Sequence, residues 1–149
     1  MTKFLLAVHV LAAIVAIGPV TVAASMFPPA ARRALAAPDD ARATETLQLL
    51  HRICRVYAVV GVVVPAFGFA TASTMGVLGS AWLIASIALT ALAALVLAAL
   101  VLPAQTALVE GGGTREKTMR LAMVTGVFNL LWAAVTILMI VRPGSTTGA

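Results

Sequence analysis

The chain contains few charged residues. Only 10% of its 149 residues are Asp, Glu, Lys or Arg, while 62% are hydrophobic. Soluble domains are typically about a quarter charged and about half apolar. A small domain buries about 60–70% of the surface that its unfolded chain exposes. So large an apolar share cannot all be hidden from water inside a fold of this size, and we therefore expect the chain to be surrounded by lipid.

Cysteine and buried charge are also scarce. Cys54 is the one cysteine, which excludes a disulfide within the chain and any paired-cysteine metal motif. The middle of each long hydrophobic segment lacks Asp, Glu, Lys and Arg, so the usual signature of a proton-coupled pump or voltage sensor is missing. No stretch alternates polar and apolar residues with a period of two, which argues against strands.

Four hydrophobic segments are long enough to cross a membrane, which takes about 20 residues. They cover residues 4–27, 52–75, 80–102 and 119–141, with loops at 28–51 and 103–118 and a tail at 143–149 that we expect to be disordered. Prolines at Pro28-Pro29 and Pro103 predict the ends of the first and third helices. The predicted fold class is all-α: a single membrane-embedded four-helix bundle in an antiparallel up-down arrangement.

The basic residues predict the orientation. The net charge of +5 would suggest nucleic acid in a soluble protein, but here the basic residues lie between apolar segments, which is typical of membrane orientation. Eight of the ten Lys and Arg residues fall within 28–55 or 103–120. The positive-inside rule then places both loops in the cytoplasm and both termini outside a bacterial inner membrane. The alternative for the first segment is a cleaved signal peptide, with Lys3 as its charged start and a small-residue cleavage site at residues 22–25, although its apolar run exceeds the usual core of about 7–15 residues.

His9 is the one ionisable residue clearly within a span, and such residues are functional candidates by default. It is either a haem or metal ligand, or a proton carrier, or a structural histidine bonded to a neighbouring helix. Met75 and Met139 are predicted near its depth, and thioethers suit Cu(I) or haem iron. His51 begins the second span about 30 Å from the level of His9, from a rise of 1.5 Å per residue, so the two cannot share one iron.

Other residues predict contacts with helices or lipid. Gly68, Ala72 and Gly76 give the second span a small-residue face that permits close helix packing. Asn129 lies near the middle of the fourth span, where an amide generally bonds to another helix. Arg52 and Arg55 share one helix face and are candidates for contact with lipid headgroups or with a partner.

The opening from His9 to Ile14, followed by Gly18, resembles the first helix of small bacterial membrane proteins related to the copper-resistance CopD and HemJ-type families. The similarity extends to the arginines of the first loop, the arginine-led second helix and the proline after the third. The resemblance implies a four-helix membrane fold. It also implies that His9 stands where HemJ-like members bind haem b.

Two functions remain open from the sequence. The first is a non-enzymatic accessory or assembly subunit, which packs against a larger membrane complex or against itself. The second is a haem- or copper-binding protein built around His9. A visible absorption spectrum separates these hypotheses, because only the second predicts a haem band that depends on His9.

Overall fold

The computed structural model describes residues 1–144, and these form helices and turns without strands. In chain order the helices are α1 (Thr2–Ala36), α2 (Ala41–Val60), α3 (Val63–Met75), α4 (Ala81–Val96), α5 (Leu102–Val109) and α6 (Arg115–Val141), with a π-helical segment (Leu97–Val101) between α4 and α5. The predicted all-α class is confirmed.

These elements join into four long helices, each long and apolar enough to cross a membrane: Thr2–Ala36, Ala41–Met75, Ala81–Val109 and Arg115–Val141. We call them spans 1 to 4. Their length and composition fit a small polytopic membrane protein. Most of the predicted tail at 143–149 lies outside the described residues. The structure describes only residues 143 and 144 of it.

Span 1 continues through Pro28 and Pro29 to Ala36, so the prediction that this pair ends the first helix is wrong. Pro removes a helix hydrogen bond, but the helix survives here because its neighbouring residues are packed. Phe27 is fully buried and Ala31 is 1% exposed. The predicted loop 28–51 is therefore helical except at 37–40, where Asp40 caps α2 by accepting from the Arg42 amide at 3.0 Å.

Span 3 likewise continues past Pro103 to Val109, contrary to the predicted end at 102. The π-helical segment Leu97–Val101 lies directly before this proline, and the Leu102 amide bonds to the Leu97 carbonyl five residues earlier. Such segments relieve a local mismatch in the helix ladder. The predicted loop 103–118 is thus reduced to residues 110–114.

Span 2 is interrupted at Gly61 and Val62, between α2 and α3. Pro65 has no amide hydrogen to offer the Gly61 carbonyl, which instead accepts from the Val64 amide at 3.1 Å. This is the local break that a proline inside a helix produces. The interruption of span 2 therefore begins four residues before the proline.

Span 1 contacts both parts of span 2 and also span 4, while span 3 contacts span 4 and, through α5, α2. The main apolar core lies among Val20, Ala24, Phe27, Cys54 and Leu121, and a smaller cluster joins Ala72, Trp82 and Leu83.

Contacts between the first two spans run in opposite order along the chain. The Thr2 hydroxyl bonds to that of Thr74 at 3.2 Å, whereas the Phe27 ring lies 6.4 Å from the ring of His51. These pairs fit an antiparallel arrangement of the two spans. The up-down order of all four spans across a membrane stays a prediction.

Candidate functional site

A buried polar cluster joins span 2 to span 3 at the level of α5. His51 is 8% exposed, and its Nδ1 lies 2.9 Å from Oε1 of Gln105, a side chain with no exposed surface. Nε2 of Gln105 donates to Sγ of Cys54 at 3.5 Å. Oγ1 of Thr106 lies 3.2 Å from Nε2 of His51. We call these four residues the His51 cluster.

The acceptor atoms of the His51 cluster determine which ring nitrogen of His51 carries the hydrogen. An amide oxygen only accepts, so Nδ1 of His51 donates to Gln105, and Nε2 carries a lone pair in the neutral ring. The Thr106 hydroxyl has one hydrogen but two acceptors in reach, Nε2 of His51 and the Leu102 carbonyl at 3.0 Å. The cluster can therefore hold a neutral imidazole in one tautomer while it ties two spans together.

Sequence reasoning misses Gln105, because Pro103 predicts that the third helix ends before it. The π-helical segment before Pro103 lets the helix continue, and this continuation places Gln105 opposite α2. The available signal was the polar pair Gln105-Thr106 directly after a long apolar segment. Polar side chains at such a position are commonly bonded when they are buried.

His9 lies near the opposite end of the bundle, against α3. Its Nδ1 is 2.8 Å from the Val64 carbonyl oxygen, so Nδ1 donates and Nε2 is free to accept in the neutral ring. The ring packs on Gly68, where an added Cβ would stand 2.7 Å from Cε1 of His9. Gly68 is thus where the backbone of α3 admits the imidazole.

The two methionines lie elsewhere on the bundle. Met75 is the last residue of α3, seven positions beyond Gly68 and therefore about 10 Å along the helix from the ring of His9. Met139 packs against the cluster of Ala72, Trp82 and Leu83. Within residues 1–144 no group of three or more His, Cys, Asp or Glu side chains is placed to hold a metal ion.

The three residues of the predicted small-residue face have three different surroundings. Gly68 contacts His9, and Ala72 is 5% exposed in the cluster with Trp82 and Leu83 of span 3. Gly76 ends α3 with a φ of 70°, and no atom lies within 4 Å of an added Cβ. Its left-handed conformation, which suits glycine, makes it the C-cap of the helix.

Asn129 bonds across to span 1, where its Nδ2 donates to Oγ of Ser25 at 3.0 Å. Three other hydroxyl groups within the spans bond elsewhere. Ser86, Thr90 and Thr136 each donate to a carbonyl of their own helix. The bond from Asn129 therefore joins spans 1 and 4.

Arg52 and Arg55 are exposed on the outer face of α2, while His51 and Cys54 of the same helix turn inward. The helix thus presents its charges to the surroundings and its weakly polar side chains to span 3.

A comparison of the chain with protein-family models, curated proteins and solved structures finds no match.

Proposed function

We propose that the protein is a non-enzymatic accessory or assembly subunit of a bacterial inner membrane, with both termini outside, that packs against a larger membrane complex or against a second copy of itself. The observation that carries this proposal is the shortness of the turns. The long helices are linked only by residues 37–40, 76–80 and 110–114. A partner therefore has little to meet outside the helices and must make most of its contacts along them.

The cross-helix bonds support a structural role for the polar side chains. His9 bonds to Val64, His51 to Gln105 and Asn129 to Ser25, and each bond joins two different spans. In lipid such bonds hold helices in a fixed relative position. The outward faces offer large apolar side chains, such as Met123 and Leu130, at 73% and 74% exposure. Lipid or a partner helix would cover such side chains equally well.

Cross-linking inside intact membranes tests the assembly function. A photoreactive residue at Met123 or Leu130 on span 4 should give a discrete higher-mass adduct with a protein partner. The same probe in the turn at Asp39 is the matched control and should give none. Smears of lipid adducts at both helix positions, without a discrete protein band, would contradict the proposal.

A second candidate is haem or copper binding at His9, which the resemblance to the HemJ-type and CopD families implies. The observation that favours it is the bond from Nδ1 to the Val64 carbonyl, because metal-ligating histidines usually have their other ring nitrogen held in this way. The free Nε2 is then the ligating atom. Met75 or Met139 would have to approach it, or a second subunit would supply another ligand.

The visible spectrum of the purified protein tests this second candidate. A haem protein should show a Soret band that His9→Ala removes while the protein still purifies in the folded state. Metal analysis on the same sample detects copper. If the wild-type protein contains neither metal in stoichiometric amount, the second candidate is excluded.

A further inference from the structure

A depression of about 210 Å³ lies at the turn between the first two spans, where α1 ends and α2 begins. Its wall consists of two residues of α1 and four from the cap and first turns of α2: Ala30, Arg33, Asp40, Arg42, Ala43 and Thr46. The four residues of this wall that carry polar side chains are all exposed. A molecule in solution can therefore reach them, and we call this feature the Arg33 depression.

The Arg33 depression stands outside the lipid. Met75 ends span 2 at the opposite end of the bundle, and Arg55 is the first charged residue met from there. About 20 residues separate the two, which is the length needed to cross a hydrocarbon core of about 30 Å. Arg42 lies a further 13 positions along the continuous helix α2, or about 20 Å. Since a headgroup layer adds only about 5–8 Å on each side, the depression lies in water.

Positive charge exceeds negative charge in this depression. The guanidinium groups of Arg33 and Arg42 are accompanied by one carboxylate, that of Asp40. Oδ1 of Asp40 accepts a hydrogen bond from the Arg42 amide at 3.0 Å, so this carboxylate caps α2. The hydroxyl of Thr46 adds a further donor at the wall. The arrangement thus suits an anion with several acceptor oxygens.

Arginine selects among anions by geometry as well as by charge. A guanidinium presents parallel N–H groups that match two oxygens of a phosphate. Two such groups, contributed by different helices, can bond to different oxygens of one tetrahedral dianion. A dianion is also attracted about twice as strongly as a monoanion such as chloride at the same distance. Phosphate is therefore the anion that the two arginines fit best.

We propose that the Arg33 depression binds the phosphate group of a soluble molecule, either inorganic phosphate or a phosphomonoester. The phosphate oxygens accept from the guanidinium groups of Arg33 and Arg42 and from the Thr46 hydroxyl. The charge of Asp40 repels the anion and limits its affinity. Lipid phosphates do not reach the site, because it lies beyond the headgroup layer.

Isothermal titration calorimetry with inorganic phosphate tests the proposal on the full chain in phosphatidylcholine nanodiscs, at about 0.15 M sodium chloride. We expect saturable binding at one site. Arg33→Gln and Arg42→Gln should each weaken it by about tenfold, as expected for loss of charge-assisted hydrogen bonds. Asp40→Asn should strengthen it by about fivefold, because asparagine also caps a helix but carries no charge.

Two matched variants change the neighbouring charges. Arg32→Gln and Asp39→Asn alter residues that are adjacent in the chain but do not line the depression. Each should change phosphate binding by less than about twofold, because salt screens charges outside the site. Thermal unfolding without phosphate, measured for every variant, shows whether each remains folded.

Nanodiscs that contain phosphatidylglycerol separate a soluble ligand from a lipid. Phosphate should bind there with an affinity within about twofold of that in phosphatidylcholine, since the depression lies about a Debye length beyond the lipid surface. Loss of the phosphate site in these nanodiscs would assign the depression to lipid headgroups and overturn the proposal.

Three other results would also overturn it. The first is the absence of saturable phosphate binding to the wild-type protein. The second is a loss in Arg33→Gln and Arg42→Gln no larger than that in Arg32→Gln. The third is an equal gain in Asp40→Asn and Asp39→Asn, which would show that only the net charge of the turn matters.

Discussion

Nδ1 of His51 donates a hydrogen bond to Oε1 of Gln105 over 2.9 Å, and the two residues are 54 positions apart in the chain. The bond fixes the relative position of spans 2 and 3 in the interior of the bundle. Gln105 also holds Cys54 through its amide nitrogen. One side chain of span 3 therefore orients two inward-facing residues of span 2.

Replacing Gln105 with Leu should destabilise the fold by about 1–3 kcal/mol, because the Nδ1–H of His51 is left buried without a partner. Adding His51→Leu to Gln105→Leu should recover part of this loss, since both polar groups are then gone. Unfolding in one detergent, followed by circular dichroism, measures both effects. Gln48→Leu on the exposed face of α2 is the matched control. Equal stabilities of the Gln48 and Gln105 variants would show that the bond contributes nothing.

Gly68→Ala should lower the unfolding temperature, because its Cβ would stand 2.7 Å from Cε1 and 3.1 Å from Nδ1 of His9. Overpacking of this kind typically costs about 1–3 kcal/mol. The double variant with His9→Ala should recover the loss, since the obstructing ring is removed. Gly126→Ala in α6, where the added Cβ meets open space, should be neutral or slightly stabilising. A harmless Gly68→Ala would place the ring of His9 away from α3.

Ala72→Leu should destabilise the chain itself, because Ala72 is 5% exposed in the cluster with Trp82 and Leu83. The expected loss is about 1–3 kcal/mol in the free energy of unfolding. Ala66→Leu makes the same change at an exposed position of α3 and should have little effect. If both variants unfold at the wild-type temperature, the contact between α3 and span 3 is absent.

The four apolar segments were readable from the sequence because crossing a membrane requires a long hydrophobic run, and nothing else in the chain resembles one. The positions of the prolines did not by themselves predict where the helices end. Pro28 and Pro29 stay helical because Phe27 and Ala31 are packed on both sides of them, and Pro103 follows a π-helical segment. Tertiary packing accounts for the first case, and a local change of helix type accounts for the second.

The polar contacts were only partly predictable. The prediction that His9 lies far from His51 along the second span followed from helix geometry, and the structure brings His9 against Val64 and Gly68, 13 and 17 residues beyond His51. The partner of Asn129 was not predictable, because the sequence does not show which residue of span 1 faces the middle of span 4, and in the structure Ser25 does. The contacts of Gln105 were not predictable, because Pro103 predicts that the third helix ends before this residue.

The four-span topology is tested most directly by labelling single cysteines from each side of the membrane in a Cys54→Ser background. Cysteines at Asp39, Gly79 and Gly112 place one probe in each turn between the long helices. The positive-inside charge distribution predicts that an impermeant reagent added outside intact cells labels position 79 alone. Positions 39 and 112 should react only after the membrane is opened. Labelling of all three positions from outside, or of 39 and 112 but not 79, would contradict the four-span topology or its orientation.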